Sequence, residues 1–515
     1  MKKLVSLLLV LCLAVLPLLS LAEGETAVAN TTPAVHRQDY DYSGVDTSKP
    51  YTVLMYLVGD KYEGTDAVVA EINKVLESEY NTTLEIEFLS WSDYQTKYPL
   101  ILAGGEKVDL MYTASWCYLY TEAAKGSFYE LDEDFIKTNM PMTYANQKSE
   151  SWGQTTIGGV CVGVPCNMMV PNYKYVGIRQ DLAEKYGITS LSSWDDLMNY
   201  MLTIAEKETP VSGVYAMNAA ADTIELWRTY YEQFNMMGVY NDDFLTIYPE
   251  DGSLPTAESI KFAVTTDQFR AYAMDMKTLA DAGAWSRSAL SNTILNYESF
   301  ANLTGAVCVW NGTIFNYMHT AEAAGAVTNA YDLSPDAHVF AEEYNNSVMA
   351  VAANSDNPER AAMVMDLIGY DYDLNLLMLL GIENVNWEDR GNGYYYSDST
   401  QSSYPATSNA AGWWCKKDYK IGVYGDSRQE AFDNNFKSRM VSNPCTTFVF
   451  DETPVKAEMA ACTAIKNEYF GPLTLGLVDD VDATIAEMTA KLEASGLQAI
   501  YDEFYAQYNA WAATR

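Results

Sequence analysis

Apolar positions between residues 52 and 112 switch repeatedly between two periods. Residues 52–58 read TVLMYLV, an unbroken apolar run of strand length, and 66–80 carry Val69, Ile72 and Leu76 at helical spacing. Leu84, Ile86 and Phe88 then alternate as a strand, 93–103 predict a helix closed by Gly104 and Gly105, and 108–112 are a further strand. This βαβαβ order predicts a parallel sheet, because parallel strands need crossover helices that fold back onto the sheet. Ligands of such sheets sit beyond the carboxyl ends of the strands. Those ends carry Gly59-Asp60-Lys61-Tyr62, Ser90-Trp91-Ser92 and Thr113-Ala114-Ser115-Trp116.

Residues 158–187 (GGVCVGVPCNMMVPNYKYVGIRQDLAEKYG) change character partway. Val160, Val162 and Val164 alternate as a strand, Pro165 ends the ladder, and an irregular run holds Pro171. A helix around Leu182 follows, with Gly187 where a left-handed C-terminal cap belongs. By itself this is either a passage between two lobes, with Pro165, Cys166 and Asn167 as its pivot, or an ordinary loop within one. Beyond it, Ser193 and Asp196 predict a capped helix, 268–282 and 288–300 predict two more, and 305–310 and 347–353 are short strands. Pro358 opens a helix with Ala362, Met365 and Ile368 on one face. Residues 389–445 read as loops with short strands. Val455, Met459, Cys462 and Tyr469, then Ile485, Met488 and Leu492, mark helices near the carboxyl end.

With 515 residues the chain exceeds the roughly 250–300 at which single cores stop growing, so two or more lobes are expected. Lys and Arg total 32 against 69 acidic residues, a net charge of −37, which repels phosphate backbones and excludes nucleic acid as a partner. Lys2 and Lys3, an apolar run to Leu19, and Ser20-Leu21-Ala22 predict a secretory signal peptide over 1–22 and a secreted or cell-surface protein. An uncleaved anchor is the alternative. Cys12 lies mid-run, so no lipobox is present. The polar stretch 23–48 reads as a flexible spacer. The cysteines lack C-x-x-C spacing and sit mostly among apolar neighbours, which favours free thiols.

Three histidines, none in H-x-x-x-H spacing, make a zinc site or a Ser-His-Asp hydrolase improbable, and no calcium loop or G-x-S-x-G elbow occurs. Gly59 to Gly64 has phosphate-loop glycine spacing but lacks the Lys-Ser/Thr. No metal or other cofactor is expected. The supply of rings is large, with 39 Tyr, 16 Phe and 11 Trp. Trp91, Trp116, Trp387, Trp413 and Trp414 lie at strand ends or in polar stretches, where a flat ring could cover the apolar face of a sugar. Packing is the competing role for each, and Trp152, Trp194 and Trp285 are assigned to packing outright.

The run from MYLVGDKYEGTDAVVAEINKVLESEY to VDLMYTASW, then AAKGSFYELDE, GVPCNMMVPNYKYVGIRQDLAEKYGI, NPERAAMVMDLI, LLMLLGIEN and FVFDETPVKAEMAACTAIKNEYF, resembles family 1 extracellular solute-binding proteins of ABC importers, in particular their LplA-like lipoprotein branch. The resemblance runs from about residue 50 to the end. It implies two α/β lobes of the periplasmic-binding-protein type, doubly wound sheets joined by three hinge crossings near 162–166, 325–330 and 354–357, and a ligand enclosed when the lobes close. The implied division is 49–162 with 328–356 in lobe 1 and 163–327 with 357–515 in lobe 2. Asp60 and Trp116 lie where the family's first lobe meets ligand. Arg179 matches an arginine before the DLAEKYG helix, with an ion pair to Asp181 as its structural alternative. Trp310-Asn311-Gly312 matches a strand-end Asn-Gly, although Ile314 stands where sugar-binding relatives often place an aromatic ring.

The candidate ligand residues are therefore Asp60, Tyr62, Trp91, Tyr112, Trp116, Arg179, Trp227, Trp310, Asn311, Asn346, Trp387 and Trp413. The function implied is an extracytoplasmic receptor that captures a sugar or oligosaccharide and delivers it, as a monomer, to membrane permease subunits. A secreted polysaccharide-active enzyme with paired carboxylates, a peptide-type solute receptor and an adhesion protein are the alternatives.

Overall fold

Strand β1 (Tyr51–Val58) lies between β2 (Thr82–Leu89) and β3 (Leu110–Thr113), and all three run parallel. Helices α1 (Thr65–Tyr80) and α2 (Tyr94–Ala103) make the crossovers that the apolar periods predict. The sheet is completed by Val348–Val351, antiparallel to β3, and by Val164–Pro165 at its edge. In the computed structural model residues 29–515 are described, apart from 106, 219–223, 241, 399–400, 408 and 424. The expected signal peptide, 1–22, lies outside the described residues.

Two large cores confirm a two-lobed α/β plan. One encloses the β1–β3 sheet, and the other gathers the helices Trp194–Thr203, Asp267–Ala282, Lys456–Thr474, Val481–Ala494 and Leu497–Ala512. The parallel winding belongs to the first lobe. In the second, Tyr175–Arg179 is flanked by Val307–Trp310 and Thr328–Tyr331, and both pairings are antiparallel. The pattern in 158–187 predicts an irregular run where this buried central strand lies. Gly177 lets it lie close to its neighbours, since a Cβ there would stand 2.7 Å from the Cys308 sulfur. The expected left-handed Gly187 has φ +79°, and Ser193 accepts a hydrogen bond from the Asp196 N–H as its cap.

The lobe boundaries differ from those expected. Thr328–Tyr331, placed in lobe 1 by the sequence, belongs to the second sheet. Residues 357–420, placed in lobe 2, build the first core instead. Helix Pro358–Tyr370 is buried from Arg360 to Tyr370 rather than along one stripe, and Leu374, Leu379, Ala411 and Trp414 join it. Its anchor is Asp366, whose buried carboxylate accepts from Tyr42 Oη and the N–H groups of Met142 and Thr143. The hinge is marked by a small sheet in which Val339–Glu342 pairs with Val170–Pro171 on one side and Met440–Val441 on the other. The chain thus crosses near 166–172 and 332–347, and for a third time after Tyr419, not near 354–357. Residues 288–300 hold a short turn at Ala289–Ser291 and a helix confined to Asn296–Ala301.

The expected flexible spacer is also corrected over its described part. Arg37 is buried, paired with Asp371 at 3.0 Å and Glu79 at 2.7 Å, and Tyr42 and Val45 enter the first core. All seven described cysteines are free, six of them buried. Among the described residues no helix is long and apolar enough to cross a membrane.

Candidate functional site

The carboxyl ends of the parallel strands carry a continuous aromatic wall. Gly59 follows β1 with a φ of +118° that suits a residue without a side chain, and the chain turns there beside the Trp91 ring. Trp91 follows β2, Tyr112 lies on β3, and Trp116 follows β3. Trp413 arrives from the helix Ala410–Cys415, whose cap Asn409 accepts from the Gly412 N–H. Trp91 stacks on Trp413 with ring centres 6.0 Å apart and lies 6.1 Å from Trp116. Tyr112 stands edge-on to Trp413 at 6.0 Å and lies 6.1 Å from Trp116. Tyr94 backs the wall, 5.8 Å from Trp91.

The rings are held by their polar ends. Trp413 Nε1 donates to the Thr407 carbonyl at 2.7 Å, Trp116 Nε1 to the Asn346 carbonyl at 3.0 Å, and Tyr112 Oη meets Ser347 Oγ at 3.1 Å. Trp91 and Trp116 nevertheless leave 47% and 41% of their surface in solvent. Large rings this exposed are not explained by core packing alone, and they offer a platform to a flat apolar surface.

Beside the wall, between the lobes, lies a cavity of about 320 Å³. Ser115, Asn345 and Asn346 line it from the first lobe, and Lys174, Arg228, Tyr231, Glu232 and Asp242 from the second, with Glu342, Glu343 and Asn443 at the hinge. The cations are committed. Lys174 Nζ lies 3.1 Å from Glu225 and 5.6 Å above the Trp310 ring, while Arg228 pairs with Glu225 at 2.7 Å and also with Asp242. The acids have weaker partners. Glu342 accepts from Asn346 Nδ2 at 3.0 Å, and Glu343 accepts from Gln154 Nε2 and the Asn443 N–H, both at 3.0 Å. Glu232 Oε2 is shut off from water with no hydrogen-bond partner among the described residues. Burial pushes the Glu232 carboxyl up to about 8 despite the opposing pull of Lys174, and burial raises Glu342 and Glu343 as well.

Of the sequence candidates, Trp91, Tyr112, Trp116 and Trp413 converge in the wall, and Asn346 joins wall to cavity. Asp60 and Tyr62 lie exposed on the loop after β1. Trp310, half-buried, reaches the cavity through Lys174, and Asn311 turns its side-chain oxygen to Thr313. Three candidates are corrected. Trp227, 1% exposed, is core, packed on Tyr230, Tyr231, Phe269 and Tyr272. Trp387, 5% exposed, donates Nε1 to the Gly381 carbonyl and packs in the first core. Arg179 is a buried structural cation, bonded twice to Asp181 at 2.8 and 2.6 Å. Trp414, also read as a loop ring, is buried and donates to the Val164 carbonyl.

The cavity's Lys174, Arg228, Glu232, Glu342, Glu343 and Asn443 escape sequence reasoning. A usable signal existed at Glu342-Glu343, two acids set between apolar strands, and none at Asn443. Among the described residues no group of three or more His, Cys, Asp or Glu is placed to hold a metal ion.

A model of the bacterial extracellular solute-binding protein family matches residues 59–369, more than half of the chain. The chain belongs to that family. A second model, a domain of unknown function (DUF3502), matches residues 444–513, the helical end of the second lobe. A carbohydrate ABC transporter substrate-binding protein of Streptococcus pneumoniae is 22% identical over 507 residues, covering 94% of this chain and 96% of the relative. Among solved structures, the N-glycan transport solute-binding protein NgtS of Streptococcus pneumoniae superimposes with a TM-score of 0.71 at 18% identity, over 90% of this chain and 99% of that one. An HMO-binding, ABC-transporter-associated solute-binding protein of Bifidobacterium longum infantis gives 0.64 at 14% identity, over 90% and 99%. Family members bind solutes outside the cytoplasm, and the fold here is the two-lobed one that such binding uses.

Proposed function

We propose that this family member is the receptor subunit of an ABC importer for an oligosaccharide, held with its ring faces on Trp91, Trp116 and Trp413 and its polar groups toward the cavity. The observation that carries this is the exposed aromatic wall at the strand ends of the first lobe, tied through Asn346 to a polar cavity between the lobes. Stacked tryptophans match the apolar faces of successive pyranoses, and carboxylates and amides beside them suit hydroxyl groups. The relatives named for carbohydrate, N-glycan and HMO transport support the same ligand class. Ligand contacts to both lobes would favour the closed arrangement. Residues 1–22 act as a cleaved signal peptide, and the closed monomer is presented to the permease subunits.

The test is a thermal-shift screen of chitotriose, mannotriose, maltotriose and a tripeptide, with product analysis in parallel. A rise in melting temperature with at least one glycan, none with the peptide, and no turnover is expected. Stabilisation by the peptide alone defeats the carbohydrate reading, and turnover defeats the receptor reading.

A further inference from the structure

We propose that the cavity selects an oligosaccharide bearing one free primary amine, with Glu232 and Glu342 receiving its ammonium group. This rests on the oligosaccharide reading and adds the charge of the ligand to it.

The inference follows from an inventory of charge around the cavity. Its cations, Lys174 and Arg228, are spent on Glu225 and Asp242. Among the described residues its remaining carboxyl groups, Glu232, Glu342 and Glu343, make no direct salt bridge, although Lys174 acts on Glu232, and Lys174 and Lys416 act on Glu342, through space. Glu343 takes two neutral N–H donors, Glu342 takes the Asn346 amide, and Glu232 Oε2 takes nothing. The charged groups acting on Glu232 are Lys174, Glu225, Arg228 and Asp332, so the cations there are already shared among other acids. A buried, unpartnered carboxyl is costly whether it keeps its proton or ionises. A ligand hydroxyl relieves only the missing hydrogen bond, whereas an ammonium supplies donors and charge together. A ligand carboxylate would add an anion beside carboxyl groups that burial already pushes toward their protonated form. The wall favours the same sign, because the faces of Trp116 and Trp413 attract cations. When the ammonium binds, Glu232 gives up its proton to solvent and forms the ion pair.

Titration calorimetry on the whole chain at pH 7 and physiological salt tests this with three probes. They are the N-acetylglucosamine trisaccharide, the same trisaccharide with one acetyl group removed, and trigalacturonate. The free-amine compound should bind about tenfold tighter than the acetylated one, the increment of a charge-assisted hydrogen bond over a neutral one. Trigalacturonate should bind weakest. The amine preference should fall at least severalfold in Glu232→Gln and Glu342→Gln, and persist in Glu493→Gln, which removes an exposed charge outside the cavity's lining. Binding of the acetylated compound without an amine preference overturns this inference alone, as does a preference that survives both cavity variants. Binding of no glycan, neutral or charged, overturns the oligosaccharide reading and this inference together.

Discussion

Trp116 donates its indole N–H to the carbonyl oxygen of Asn346, 3.0 Å away and separated by 230 residues of chain. That bond ties the aromatic wall to the cavity, because Asn346 passes its own side-chain N–H to Glu342 on the far side. The Trp116 ring and the acid that lines the cavity are therefore held in one arrangement through Asn346.

Trp116→Ala should weaken binding of the best glycan by about 1–3 kcal/mol, the value of one stacked aromatic. Its melting temperature should change little, since the ring is 41% exposed. Trp116→Phe keeps a ring but not the bond to Asn346, so its affinity should fall between those of Ala and the native residue. Calorimetry on the three proteins checks the order.

Trp227→Ala should behave in the opposite way. The ring is fully enclosed by aromatic neighbours, and its removal should cost about 3–5 kcal/mol of stability. Denaturant melts of Trp227→Ala and Trp91→Ala, compared side by side, separate the core tryptophan from the wall tryptophan.

Much of this was legible in the chain, and the limits have physical causes. The period changes between residues 52 and 112 locate the parallel sheet, and strand ends of such a sheet are where Trp91 and Trp116 had to fall. Trp413 and Trp414 are neighbours in a short helix, so one faces the wall and the other the core, a difference of direction that no composition reveals. Trp227 and Trp387 look alike in sequence to the wall tryptophans because local polarity does not report what another segment folds over them. Helix Pro358–Tyr370 was misplaced for a similar reason. An apolar helix suits either lobe, and what assigns it is the set of donors that Asp366 meets from residues 42, 142 and 143. The cavity acids were hidden among 69 acidic residues, where only burial distinguishes a site from a surface.

Asp366→Ala should destabilise the protein by about 2–4 kcal/mol, because the N–H groups of Met142 and Thr143 would lose their buried acceptor. Urea melts give the figure. A loss well below 1 kcal/mol would contradict the assignment of that helix to the first core.

Stability of the ligand-free protein should carry a component that falls as pH rises. Glu232 holds its proton up to about 8 in the fold against an ordinary 4.5, so the folded state binds that proton more tightly than the unfolded chain does. The contribution is present below about 4.5 and is lost between there and about 8. Asp366, raised by burial to about 6, acts in the same direction over a lower window. Melting temperatures at pH 5 and pH 8 should therefore differ less in Glu232→Gln than in the native chain.

The central claim is that the wall and the cavity hold an oligosaccharide. Titration calorimetry of the native chain and of Trp116→Ala against chitotriose, mannotriose and maltotriose addresses it directly. The account predicts saturable one-to-one binding of at least one of them, weakened by about tenfold or more in the variant. Absence of binding to every glycan, or equal affinity in the two proteins, would contradict it.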